Sequence, residues 1–172
     1  SGALMNMQTT HKVTRHRALA LDVGMIARNP RPDEIEQMCA LRGWERYDPE
    51  AATRQIVGSM GPDCWTLTGT DGLPFAVGGF DVIRPGVLEV WGLGTMDGWA
   101  RYWREITRQS RCAIEGALAA GYHRVETVAL ASRTDAHEWY RRGLRLVDEG
   151  PRAGYFANGA DGIGFAITKR KP

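Results

Sequence analysis

The chain has 172 residues, 43% of them hydrophobic and 24% charged, with a formal net charge of +2 at pH 7. That length fits one domain burying roughly two-thirds of its unfolded surface, so no staples are needed to explain its folding. No apolar run approaches the ~20 residues of a membrane-spanning helix, and the basic surplus is too small and scattered to mark a nucleic-acid surface.

Cys39, Cys64 and Cys112 are odd in number, widely spaced and free of any C-x-x-C pairing, which argues against a disulfide framework and a zinc site. They read as reduced, mostly buried thiols of a cytoplasmic protein. Ser1-Gly2-Ala3-Leu4 before Met5 resembles a scar of tag cleavage. Residues 1–12 are therefore read as a tag remnant and flexible N-terminus, and 13–172 as a single domain.

In chain order, residues 18–26 are mostly apolar with β-branched content and read as a strand, closed by Asn29-Pro30-Arg31-Pro32. A helix follows over 33–41: Ile35, Met38, Cys39 and Leu41 keep a helical period, acids sit in its first turn and Gly43 ends it. Asp48-Pro49 opens a second helix, with Ile56, Val57 and Met60 on one face and Gly61-Pro62 as its stop. Residues 64–68, 75–83 and 87–93 are β-rich runs joined through Asp71-Gly72 and Arg84-Pro85-Gly86, an antiparallel meander.

The longest helix is expected from Gly98 to the stop at Gly121, with Trp99, Trp103, Ile106, Ala113 and Ala117 on one face. Arg101, Arg104, Arg108 and Arg111 fall largely off that face. Their bland reading is a solvated surface; the sharper one for the last three is a grip on a terminal phosphate or an acidic partner. A strand over 124–130, a short helix over 134–142 closed by Gly143, and strands over 144–147 and 163–168 complete the chain. The Gly- and Ala-rich stretch 150–162 reads as a loop.

This order of elements over residues 19–169 is similar, element for element, to the GNAT (Gcn5-related N-acetyltransferase) superfamily. The resemblance implies an α/β fold with a mixed central sheet of about seven strands flanked by four helices. A more specific similarity lies in Val128-Ala129-Leu130-Ala131-Ser132-Arg133-Thr134-Asp135-Ala136-His137-Glu138-Trp139-Tyr140-Arg141-Arg142-Gly143-Leu144, which resembles the family's fifth strand, fourth helix and following Gly-Phe. Ala136, Tyr140 and Gly143 match; Leu144 stands where Phe is usual, and Arg133 where Asn is usual.

The resemblance implies transfer of an acetyl group from acetyl-CoA to an amine on a small molecule or protein. Glu89, in Val87-Leu88-Glu89-Val90-Trp91-Gly92-Leu93, matches the position of the family's base, and alternation puts Glu89, Trp91 and Leu93 on one face. A carboxylate on an apolar central strand has its pKa raised by desolvation, as a base near neutrality requires. Amides near Leu93 and Gly94 would polarise the thioester carbonyl. Tyr140 would protonate the departing thiolate, with Ser132 a weaker substitute and His137 an alternative base. Arg133 would lie beside the pantetheine arm of CoA.

The family's pyrophosphate cradle, Arg/Gln-x-x-Gly-x-Gly/Ala, corresponds here to Thr95-Met96-Asp97-Gly98-Trp99-Ala100. Gly98, Trp99 and Ala100 keep the positions that approach a phosphate. Thr95 replaces the basic or amide residue, and Asp97 sets a like charge beside the anion. A weakened phosphate loop, six tryptophans and the Trp91-Gly92-Leu93-Gly94 strand end together resemble the GNAT-like proteins of tailed podophages. That resemblance implies an alternative to catalysis: binding a bacterial host protein or serving in a virion, with exposed tryptophans and arginines as the contact surface. Nucleic-acid binding is disfavoured, because acids interleave the basic residues.

Overall fold

The computed structural model describes residues 12–169; the tag remnant assigned to the N-terminus falls almost wholly outside them. Strand β1 (Thr14–Arg17) leads into helices α1 (Ala20–Ile26), α2 (Pro32–Arg42) and α3 (Pro49–Ser59). The meander β2 (Trp65–Thr68), β3 (Pro74–Arg84) and β4 (Val87–Gly94) follows, then the long helix α4 (Met96–Ala119). Strand β5 (Arg124–Leu130), helix α5 (Thr134–Glu138) continuing into a π-helical turn (Trp139–Gly143), β6 (Val147–Arg152) and β7 (Gly162–Thr168) complete the fold. The strands form one seven-stranded sheet in the order β1-β2-β3-β4-β5-β7-β6. The β4–β5 pair is parallel, and the other neighbours are antiparallel.

The sheet separates two apolar layers. On one face Val23, Ile26 and Ile56 from α1 and α3 pack with Cys64, Val77 and Leu93. On the other, Ile106, Ala113 and Ile114 of α4 meet Trp65, Leu67, Phe75, Leu88, Val90 and Val125. Strand alternation assigns the faces: Leu88 and Val90 look toward α4, whereas Glu89, Trp91 and Leu93 look toward α1 and α3.

The segment 18–26 is a helix rather than a strand, and the first strand lies just before it at Thr14–Arg17. Its apolar content suits either element, but burial recurs at Asp22, Val23, Ile26 and Ala27 while Leu21 and Met25 are exposed, which is helical spacing. Asp22 secures the first turn: its carboxylate accepts from Leu19 N at 3.0 Å and from Thr66 Oγ1 in β2 at 2.9 Å. Five α-helices are therefore present among the described residues instead of four.

The C-terminal half also departs from expectation. Leu144 and Leu146 are buried in the core, but the strand starts at Val147 and extends to Arg152, taking in the start of the stretch read as a loop. The helix expected over 134–142 becomes α helix and then π turn, closed by the Leu144 N to Trp139 O bond at 3.1 Å. Gly143 is required there, since a Cβ would sit 2.8 Å from the Trp139 ring. Cys64 is buried and Cys39 half-buried, but Cys112 is exposed. No helix among the described residues is long and apolar enough to cross a membrane.

Candidate active site

Parallel pairing between β4 and β5 covers only Val87, Leu88 and Glu89 against Arg124, Val125 and Glu126. Beyond that point the strands diverge. Residues 90–94 keep pairing with β3 and residues 127–130 with β7, so the two facing edges are left without a strand between them. A cavity of about 260 Å³ occupies this split. Its wall includes Ile106, Trp139 and Tyr140 from the α4 side and Met38, Ile56 and Phe156 from the other, so it passes through the sheet.

The most perturbed carboxylate in the cavity wall is Glu34, which sequence reasoning treated only as one of the first-turn acids. Pro32 begins α2, placing Glu34 at the third helical position, where its Oε2 accepts from Arg31 N at 3.4 Å. Its Oε1 accepts from Gly94 N at 3.3 Å and from Trp99 Nε1 at 3.2 Å. Glu34 is 8% exposed, and this burial pushes its pKa to about 7, partly opposed by the Arg133 charge and the Trp99 hydrogen bond. The signal available in the sequence was the i, i+3 spacing of Glu34 and Gln37, which puts two polar side chains on one face of a helix otherwise read for its apolar residues.

Glu89 also lines the cavity, on the α2 side. The register sets it directly between Asp81 of β3 and Glu126 of β5, a row of three carboxylates across three strands. Burial raises its pKa, and the charges of Asp81 and Glu126 add to the effect. Asp81 is raised by burial too, with Arg42 opposing. Glu126 accepts from Arg124, which also pairs with Glu149.

Tyr140 enters from the α4 side, packed against Trp139 and Phe165. Burial raises its pKa, against the opposing Arg133 charge and a hydrogen bond with Thr127, so the phenol stays protonated at neutral pH. Arg133 reaches into the split from the β5–α5 connection: its Nε donates to Asp33 Oδ2 at 2.9 Å and its Nη1 to Gln37 Oε1 at 2.7 Å.

The cavity thus brings together Glu89, Trp91, Leu93, Gly94, Trp99, Arg133 and Tyr140. Gly98 and Ala100 are not in its wall. Only Thr95 separates β4 from α4, and it caps the helix by accepting Gly98 N at 2.9 Å. Met96 N donates to Asn29 O at 3.0 Å, and Thr95 forms an isolated bridge with Pro30. Gly98 itself packs on Phe75, where a Cβ would sit 2.7 Å from the Phe75 Cβ. Ala100 is exposed. The α4 N-terminus has its Met96 and Gly98 amides engaged and Asp97 beside them, a poor cradle for pyrophosphate.

The remaining candidates lie apart. His137 is buried below β5, with Nε2 2.8 Å from Leu130 O and its ring on Phe165, and Ser132 is exposed outside the cavity wall. Of the α4 arginines, Arg101 pairs with Asp71 and Asp97, Arg108 with Glu105, and Arg111 donates to Gly143 O. Arg104 lies over the ring of Trp103, which is 48% exposed.

Neither a protein-family model nor a curated protein sequence matches the chain. Solved structures do match along nearly its whole length. A GNAT-family acetyltransferase from Bacillus anthracis superposes with a TM-score of 0.71 at 10% identity, covering 93% of this chain and 96% of that one. A GNAT superfamily phosphinothricin acetyltransferase from Sinorhizobium meliloti, in complex with AcCoA, gives 0.65 at 16% identity, covering 94% and 93%. The ribosomal-protein-S5-alanine acetyltransferase from Vibrio fischeri gives 0.61 at 13%, covering 93% and 96%. With the split between its parallel strands and this end-to-end superposition, the chain has the fold of the GNAT acetyltransferases.

Proposed function

We propose that this protein transfers an acyl group from a CoA thioester to an amine. The observation that carries the reading is the through-sheet cavity at the β4–β5 split, with carboxylates on one side and a protonated phenol on the other. Acetyl transfer needs a base for the acceptor ammonium, a donor for the carbonyl oxygen and an acid for the leaving thiolate. Glu89 and Glu34, both in the cavity wall, supply carboxylates whose raised pKa suits proton acceptance near neutrality; the Gly94 amide is the carbonyl donor and Tyr140 the acid. The carbon–nitrogen bond forms as the carbon–sulfur bond breaks, and the sulfur leaves with the Tyr140 proton. The carboxylate row of Asp81, Glu89 and Glu126 supports a cationic amine as acceptor, on a small molecule or a protein, in the cytoplasm.

A second reading rests on a different observation, the engaged amides at the α4 N-terminus. In it the fold is a phage-encoded binding module that grips a bacterial host protein or stands in a virion, using exposed groups such as Trp103 and Met96. Calorimetric titration with acetyl-CoA and with CoA separates the two. Micromolar binding supports the transferase and leads to an acceptor screen; no heat at millimolar ligand removes it and leaves the binding module.

A further inference from the structure

Helix α2 makes bonds to the two open strand edges that belong, by geometry, to main chain. Gln37 Nε2 donates to Val128 O at 3.1 Å and Gln37 Oε1 accepts from Leu130 N at 3.1 Å. A residue in a parallel neighbouring strand makes this same pair, to the carbonyl and amide flanking the residue opposite it. The Gln37 side-chain amide therefore stands in for one residue of a strand on the edge of β5 that β4 abandons. On the facing edge, Glu34 Oε1 takes the Gly94 amide at 3.3 Å. Arg133 and Asp33 hold the arrangement closed, Arg133 bonding both Asp33 and Gln37.

We propose that α2 is a latch on the cleft: Glu34 and Gln37 occupy the strand-edge donors and acceptor that an acyl-CoA arm pairs with, and the arm enters only as α2 gives them up. The inference rests on the acyl-CoA reading above. The pantetheine arm carries secondary amides, the same chemistry as the Gln37 side chain, and a thioester carbonyl competes with Glu34 for the Gly94 hydrogen. A single N–H cannot serve both acceptors in good geometry. Ligand affinity is then reduced by the fraction of molecules with α2 released, and deleting the latch returns that factor.

The test compares the wild-type chain with the double variant Glu34→Ala/Gln37→Ala by calorimetric titration with CoA and with acetyl-CoA, circular dichroism confirming the fold. The variant is expected to bind at least about tenfold tighter. In the wild type, amide exchange across α2 is expected to quicken on saturation with CoA. Equal or weaker affinity in a folded variant, or slower α2 exchange in the complex, overturns the latch and leaves the acyl-CoA reading standing. Absence of binding by both chains at millimolar ligand removes that reading and the latch with it. Where the double variant fails to fold, Gln37→Ala and the exchange measurement carry the decision.

Discussion

Glu34 gives the sharpest test of the site's electrostatics. Its folded pKa of about 7 lies above the ordinary value of 4.5, so the folded state holds the proton more tightly than the unfolded chain. Between these two values the folded protein binds more protons, and stability falls as pH rises through the window. The gap, at about 1.4 kcal/mol per pH unit, makes the ionised carboxylate cost about 3 kcal/mol above pH 7. Glu34→Gln keeps an oxygen for Gly94 N and Trp99 Nε1 but cannot ionise. Urea unfolding of both proteins at pH 4.5, 6 and 8 isolates the residue, since Glu89, Asp81 and the other titrating groups cancel in the difference. The variant's advantage over wild type is expected to grow by about 3 kcal/mol from the lowest to the highest pH, or roughly 6–12 °C in Tm for a domain of this size. A difference that stays flat across the window refutes the reasoning: Arg133 and the three N–H donors would then hold Glu34 ionised despite its burial.

Tyr140→Phe should lower turnover by about 10²-fold while leaving the acetyl-CoA Kd nearly unchanged, because only the transferred proton is lost; steady-state kinetics beside calorimetry reads both, and equal losses would make Tyr140 a packing residue. Phe165 is fully buried between β5 and β6, so Phe165→Ala should cost about 3–5 kcal/mol in urea unfolding. Gly143→Ala drives a methyl against Trp139 and toward Thr107 Cγ2 and should cost about 1–3 kcal/mol, with a change in tryptophan fluorescence as the π turn shifts.

Much of the architecture is legible in the residues alone. Turn chemistry at Asp71-Gly72 and Arg84-Pro85-Gly86 delimits β3 and β4, and alternation correctly puts Glu89, Trp91 and Leu93 on one face. The apolar stripe of α4 and the Asp48-Pro49 start of α3 are local signals that the tertiary structure leaves in force. Where local pattern is ambiguous it misleads: residues 18–26 carry enough β-branched and apolar content for a strand, and only the Asp22 bond to Thr66, 44 positions away, and the packing of Val23 and Ile26 make them a helix.

The site divides the same way. Glu89 and Tyr140 are singled out by the resemblance, strand alternation gives the face of Glu89, and both lie in the cavity wall. Glu34 is not, because its meaning lies in Gly94 and Trp99, 60 and 65 positions away. Its first-turn position is equally that of an ordinary capping acid. Gln37 pairs with β5 more than 90 positions distant, and Gly98, which reads as an approach point for phosphate, turns inward on Phe75. Periodicity and turn residues act within a few positions of the chain and so declare themselves in sequence. Burial, desolvation and the partner of a side chain that crosses the sheet are properties of the folded whole, and the tertiary structure alone decides them.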